Sequence, residues 1–133
     1  MTAPRPGDSM PLVTAIHHVS LIVADTGRAL GFYQGVLGLD VDPQRPDLGF
    51  PGAWLQVGDQ QIHLLELPNP DPVDGRPDHG GRDRHLAMRV GTLNALIARL
   101  DEAGLSYTLS RSGRRALFCR DPDGNALELI EGG

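Results

Sequence analysis

Lysine is absent from this chain, cysteine occurs once, and aromatic residues make up only 5% of its 133 positions. The twelve basic residues are therefore all arginine, set against seventeen Asp and Glu, for a net charge of −5. An acidic surface repels phosphate backbones, which argues against generic nucleic-acid binding. The lone Cys119 excludes an internal disulfide framework and a cysteine-based zinc site, and it fits a reducing cytoplasm. With so few aromatics, the core must be aliphatic. No apolar run approaches the ~20 residues that a membrane span needs, so no membrane partner is expected. The segment 1–13 is proline-rich and polar and lacks the apolar stretch of a signal peptide. It is expected to be a flexible tail, with the protein in the cytoplasm. The remainder, 14–133, is expected to form one domain.

Against these absences stand five histidines: His17, His18, His63, His79 and His85. Their meaning depends on the pattern around them. Ile16 to Val23 reads as a strand, with Val19, Leu21 and Val23 on one face and His18, Ser20 and Ile22 on the other. Asp25-Thr26 offers N-cap oxygens to a helix carrying Ala29, Leu30, Tyr33, Val36 and Leu37, which Gly38 ends. Leu39–Val41 and Ala53–Val57 read as strands. Gly58-Asp59 turns the latter back into Gln61–Glu66. The same order follows from His85–Val90 through a helix at Thr92–Ala103, which carries Leu93, Leu96, Ile97 and Leu100. Strands at Tyr107–Leu109, Ala116–Arg120 and Ala126–Ile130 complete it.

The chain therefore reads as two tandem βαβββ modules, 14–67 and 84–133, joined by an irregular linker, 68–83. The predicted class is α+β, with a curved, partly closed mixed sheet around a metal site. His18 and His85 open equivalent strands. Ala53–Val57 is matched with Ala116–Arg120, and His63 falls opposite Glu128. Two copies packed about a pseudo-twofold axis would bring these four residues to one concavity. Imidazole and carboxylate suit a divalent metal such as Ni, Co, Zn, Fe or Mn, and a two-His-one-Glu set leaves positions open for substrate. The bland alternative is that each histidine is a structural strand residue and Glu128 a solvated carboxylate. His17 has the wrong parity and is expected to be packed or at the strand edge. His79 is expected to be solvated in the linker, with action from a lid as the alternative. Arg89 shares a strand face with His85 and suits an anionic substrate group. Arg111, Arg114 and Arg115 form a basic turn that is either solvated or a carboxylate clamp.

The segment His18-Val19-Ser20-Leu21-Ile22-Val23-Ala24-Asp25, with Phe32-Tyr33 and Val36-Leu37-Gly38-Leu39, resembles the opening of the vicinal oxygen chelate superfamily. That group includes glyoxalase I, bleomycin-resistance proteins, fosfomycin-resistance thiol transferases, methylmalonyl-CoA epimerase and extradiol dioxygenases. Asp121-Pro122-Asp123-Gly124-Asn125-Ala126-Leu127-Glu128 is similar to its closing signature, and the resemblance runs from Thr14 to Glu131. It implies metal ligation by His18, His85 and Glu128, with His63 as a fourth ligand or base and Glu128 and His63 as the catalytic pair. In glyoxalase I the position of His63 holds a carboxylate that binds the metal and moves the substrate proton. Ser20, Trp54, Arg89 and Arg111 are the expected substrate contacts, and glutathione is a candidate co-substrate.

The resemblance implies a homodimer acting on a small molecule, with the metal site in some relatives built across the subunits. The expected activity is a lyase or isomerase like lactoylglutathione lyase. A thiol transferase of the fosfomycin-resistance type, an extradiol-type dioxygenase and a non-enzymatic drug-sequestering protein are the alternatives. Thr108 and Phe118 stand where the fosfomycin enzymes place a substrate-binding lysine and a tyrosine, which counts against that substrate. Drug-binding members usually lack the metal ligands, which are present here.

Overall fold

The computed structural model describes residues 11–132. The expected tail therefore lies largely outside the described residues. β1 (His18–Val23) leads to α1 (Thr26–Tyr33), β2 (Asp40–Val41), β3 (Gly52–Val57) and β4 (Gln60–Glu66). After the linker, β5 (His85–Val90), α2 (Leu93–Glu102), β6 (Thr108–Leu109), β7 (Ala116–Arg120) and β8 (Ala126–Glu131) repeat the order. Each half forms a four-stranded mixed sheet, β1-β4-β3-β2 and β5-β8-β7-β6, in which the first strand runs parallel to the last. The architecture is α+β in two repeated modules. The sheets remain two separate, unclosed units.

Local chemistry accounts for the helix ends. The Asp25 carboxylate accepts from the Arg28 amide at 2.7 Å, and the Thr92 hydroxyl accepts from Ala95 at 3.3 Å, each satisfying one orphan N–H of a first turn. The helical pattern of the first half reaches Leu37, but α1 ends at Tyr33. Beyond it the amides of Gly35 and Leu37 reach back five residues, to Leu30 and Phe32. These wider turns run on to Gly38, whose φ of +74° places it in the left-handed region.

One aliphatic-rich core serves both modules. Ala29, Phe32 and Tyr33 of α1 share it with Leu93, Leu96 and Leu100 of α2, beneath Leu55, Ile62 and Leu64 of one sheet and Leu117, Leu127 and Leu129 of the other. A buried polar latch also joins the halves. The Tyr33 hydroxyl donates to Asp121 Oδ2 at 2.6 Å, Asn125 Nδ2 donates to the Ile22 carbonyl at 3.1 Å, and the Ala24 amide donates to Asp123 Oδ1 at 2.9 Å. Burial pushes the Asp121 carboxyl above its usual range and raises the Tyr33 phenol as well.

The register corrects the repeat alignment by one residue. His63 lies beside Trp54, whereas Glu128 lies beside Phe118. Trp54 is therefore equivalent to Phe118, and Gly52, not Ala53, matches Ala116. The run Ala116-Leu117-Phe118-Cys119 is buried on both faces, so no alternation was available to set its parity. His18 with His85, and His63 with Glu128, remain equivalent.

The linker is not a free connector. A short 3₁₀ turn, Gly80–Arg82, lies against β7 and β8. A Cβ on Gly80 would sit 3.2 Å from Phe118 Cβ and 3.4 Å from Ala126 Cβ, so the absence of a side chain permits this approach. Among the described residues, no helix is long and apolar enough to cross a membrane.

Candidate metal centre

Strand parity puts the candidate residues on the faces away from the helices. His18 and Ser20 are exposed while Val19 and Leu21 pack against the core. His85 and Arg89 share the exposed face of β5, and Leu86, Met88 and Val90 pack inward.

The first sheet carries a stack of three rings. The His63 ring lies 4.0 Å from that of His18 and 4.4 Å from that of Trp54, nearly parallel to both. Gln61 donates its amide hydrogens to Asp42 Oδ2 and Gln56 Oε1, both at 2.9 Å, so its own carbonyl oxygen accepts from His63 Nε2 at 2.8 Å. That bond places the His63 proton on Nε2 and leaves a lone pair on Nδ1. Burial, and then the neighbouring His18, holds the ring below the usual histidine range. Both effects favour the uncharged ring. His17 is exposed just before the edge strand β1, and its Nδ1 lies 2.8 Å from His18 Nδ1.

The second sheet carries the other pair. His85 Nδ1 lies 2.9 Å from the Asp83 carbonyl, which can only accept, so the proton sits on Nδ1. His85 Nε2 then turns its lone pair toward Glu128 Oε1 at 3.3 Å. An imidazole lone pair and a carboxylate oxygen at this separation suit a shared metal ion. The Asp83 carbonyl stands where metal-ligating histidines find their outer partner. Glu128 is 7% exposed although it faces away from the helices. Its neighbours are Phe118 and the guanidinium of Arg114, whose Nη1 is 3.9 Å from Glu128 Oε2.

The four expected ligands do not meet within one chain. Among the described residues, no group of three or more His, Cys, Asp or Glu is placed to hold a metal ion. His18 and His63 form one pair, His85 and Glu128 the other. A groove of about 280 Å³ between the outer strands has Ser20 and Leu21 on one side and His85 and Leu86 on the other. Residues of β1 and β5 thus line one groove, while the two candidate pairs lie apart.

The expected substrate contacts also divide. Ser20 lines this groove with His85. Trp54 covers His63, and Arg89 lines a separate groove with Ile16 and Gln61. Arg111 lies on the exposed β6–β7 turn, where Arg114 rather than Arg111 reaches Glu128. His79 is not solvated as expected: its ring packs 4.9 Å from Phe118, and its Nε2 is buried without a partner. Gln61 and Asp83 had no signal in the sequence, because each acts through a bond that only the fold brings about.

The model for the Glyoxalase/Bleomycin resistance protein/Dioxygenase superfamily matches residues 15–129. The chain belongs to this superfamily. It is 31% identical over 123 residues to Glyoxylase I 4 of Arabidopsis thaliana, covering 88% of this chain and 70% of that protein. To the lactoylglutathione lyase of Haemophilus influenzae it is 30% identical over 124 residues, covering 87% and 91%. A crystal structure of a putative glyoxalase family protein from Bacillus anthracis superposes with a TM-score of 0.76 at 23% identity, covering 92% of this chain and 98% of that one. That likeness shows the fold alone. Members of the glyoxalase superfamily are often metal-dependent enzymes, and they commonly form dimers and bind small molecules.

Proposed function

We propose that this protein is a metal-dependent lyase or isomerase of the glyoxalase type, acting on a small substrate that offers two adjacent oxygens. The single observation that carries the proposal is the His85–Glu128 pair, whose tautomer and spacing suit a shared cation. The relative named lactoylglutathione lyase supports the choice of reaction. A bound divalent ion would supply Lewis-acid stabilisation of negative charge on the chelated oxygens. His18, His85 and Glu128 are the proposed ligands, and domain 14–133 is the proposed functional unit. His63, neutral and hydrogen-bonded through Nε2, is the proposed base or fourth ligand through Nδ1. Glu128, Ser20, Trp54 and Arg89 complete the proposed site. Arg111 and Arg114 together offer an anion clamp at its edge, suited to the carboxylates of glutathione.

The separation of the ligands into two pairs supports a site completed by a second copy of the chain. His18 and His63 of one subunit would then face His85 and Glu128 of its partner in a homodimer. The test is divalent-metal content after purification, followed by turnover of the hemithioacetal of methylglyoxal and glutathione. Bound metal in the native protein, lost in His85→Ala and Glu128→Gln, is the expected result. A metal-free protein that tolerates both substitutions would overturn the proposal. Metal binding together with oxygen consumption on catechols would replace lyase by dioxygenase chemistry.

A further inference from the structure

The strap formed by residues 68–83 contains few backbone-to-backbone hydrogen bonds beyond its 3₁₀ turn, yet its last residue supplies the carbonyl that sets the His85 tautomer. Something must hold that carbonyl still, and the contacts of Asp83 show what does. Arg120 Nη1 donates to Asp83 Oδ2 at 2.8 Å. Arg76 Nη1 donates to Oδ1 and Oδ2 at 3.1 and 3.2 Å, and the Arg84 amide donates to Oδ1 at 2.8 Å. The side chains are well covered, at 10% exposure for Asp83, 16% for Arg76 and 25% for Arg120. These are charge-assisted bonds in a partly dry setting, where they are stronger than surface pairs.

Arg120 also reaches in two further directions. Its Nη2 donates to the Pro77 carbonyl in the strap, and its Nη1 donates to the Gly124 carbonyl at 2.7 Å. Gly124 belongs to the turn that leads into β8 and hence to Glu128. One guanidinium on β7 therefore ties together the strap before His85 and the turn before Glu128.

We infer that Arg120, assisted by Arg76, is a positioning residue for the metal centre: by clamping Asp83 it fixes the carbonyl that keeps the His85 proton on Nδ1 and Nε2 bare toward Glu128. This assigns the strap a role beyond linking two modules. Outer partners of this kind matter because a histidine protonated on the wrong nitrogen cannot ligate through it. The role in metal binding rests on the proposed metal centre, while the tautomer itself does not.

The test uses the full ¹⁵N-labelled chain without metal, reading the His85 ring by long-range ¹H–¹⁵N correlation, and then Mn²⁺ and Zn²⁺ titrated separately by calorimetry. Wild type is expected to show the Nδ1–H form of His85. In the double variant Arg76→Gln/Arg120→Gln the Nε2–H form should grow, and metal binding should weaken about 10–100-fold. The His18 and His63 signals should stay in place, and Arg120→Lys should restore part of both effects. A merely stabilising Arg120 would lower the melting temperature and leave the tautomer unchanged. If the double variant does not fold, Arg76→Gln alone is expected to move both readouts in the same direction by a smaller amount. An Nε2–H form in wild type, or an unchanged tautomer in the folded variants, overturns the inference. Wild-type protein that takes up neither ion overturns the metal centre instead, and the tautomer measurement still decides the clamp.

Discussion

At the scale of single residues, the two candidate pairs are prepared by hydrogen bonds that dictate where protons sit. His63 is enclosed by Trp54 on one face and His18 on the other, with its Nε2 committed to Gln61. Its pKa lies below the usual value chiefly through burial. Charging it therefore costs more in the folded protein than in the unfolded chain. The unfolded state then binds more protons as pH falls below ~6.5, the unperturbed histidine pKa, so stability drops on that side. Trp54→Ala removes one wall of the stack and readmits water. The expected outcome in metal-free protein is a higher His63 pKa and a shallower loss of stability below neutrality, checked by NMR titration and by denaturant melts across pH. An unchanged pKa would show that Trp54 contributes nothing to the desolvation. Cys119, by contrast, is buried with its thiol pushed up to about 12, which removes it as a nucleophile.

At the scale of elements, stability rests on amphipathic helices laid on sheets. α2 buries Leu93, Leu96 and Leu100, the last fully enclosed. Leu100→Ala should cost about 2–5 kcal/mol, the usual range for a leucine truncated in a close-packed core, read as a fall in the denaturation midpoint at unchanged m-value. The helix stripe and the Asp25 N-cap were legible because a 3.6-residue period and short polar caps are local signals. The β7 register was not, because a strand buried on both faces carries no alternation. The strap was also illegible: its anchors, Arg76 to Asp83 and Gly80 against Phe118, depend on contacts that no periodicity encodes. Gly80→Val is expected to lift the strap from β7 without unfolding the sheets. Faster hydrogen exchange confined to 77–84 and to neighbouring β8 would report it; uniform exchange across both modules would refute it.

At the scale of the whole molecule, a shared core and the Tyr33–Asp121 latch join the two modules. Tyr33→Phe leaves Asp121 Oδ2 with only Asn125 as side-chain partner. It should cost about 1–3 kcal/mol, the range for stripping a buried polar group of a partner, in a single transition by calorimetry. A homodimeric metal centre makes a sharper prediction. His18→Ala and His85→Ala chains are each expected to be inactive alone. Mixed and exchanged, they should recover activity, because the mixed dimer holds one site with both histidines intact. A site built within one chain would recover none.

By itself the sequence determined the repeat, the parity of the strands other than β7 and the residue types on each open face. These follow from local steric periods and from where apolar side chains must be buried. It could therefore pair His18 with His85, and His63 with Glu128, as equivalent positions. Tertiary structure alone decided that these four fall into two separate pairs within one chain, since the packing of two modules against each other is a long-range choice among faces and edges. It also decided which imidazole nitrogen carries each proton, because that depends on acceptors such as the Gln61 amide and the Asp83 carbonyl, which only the folded chain sets in place.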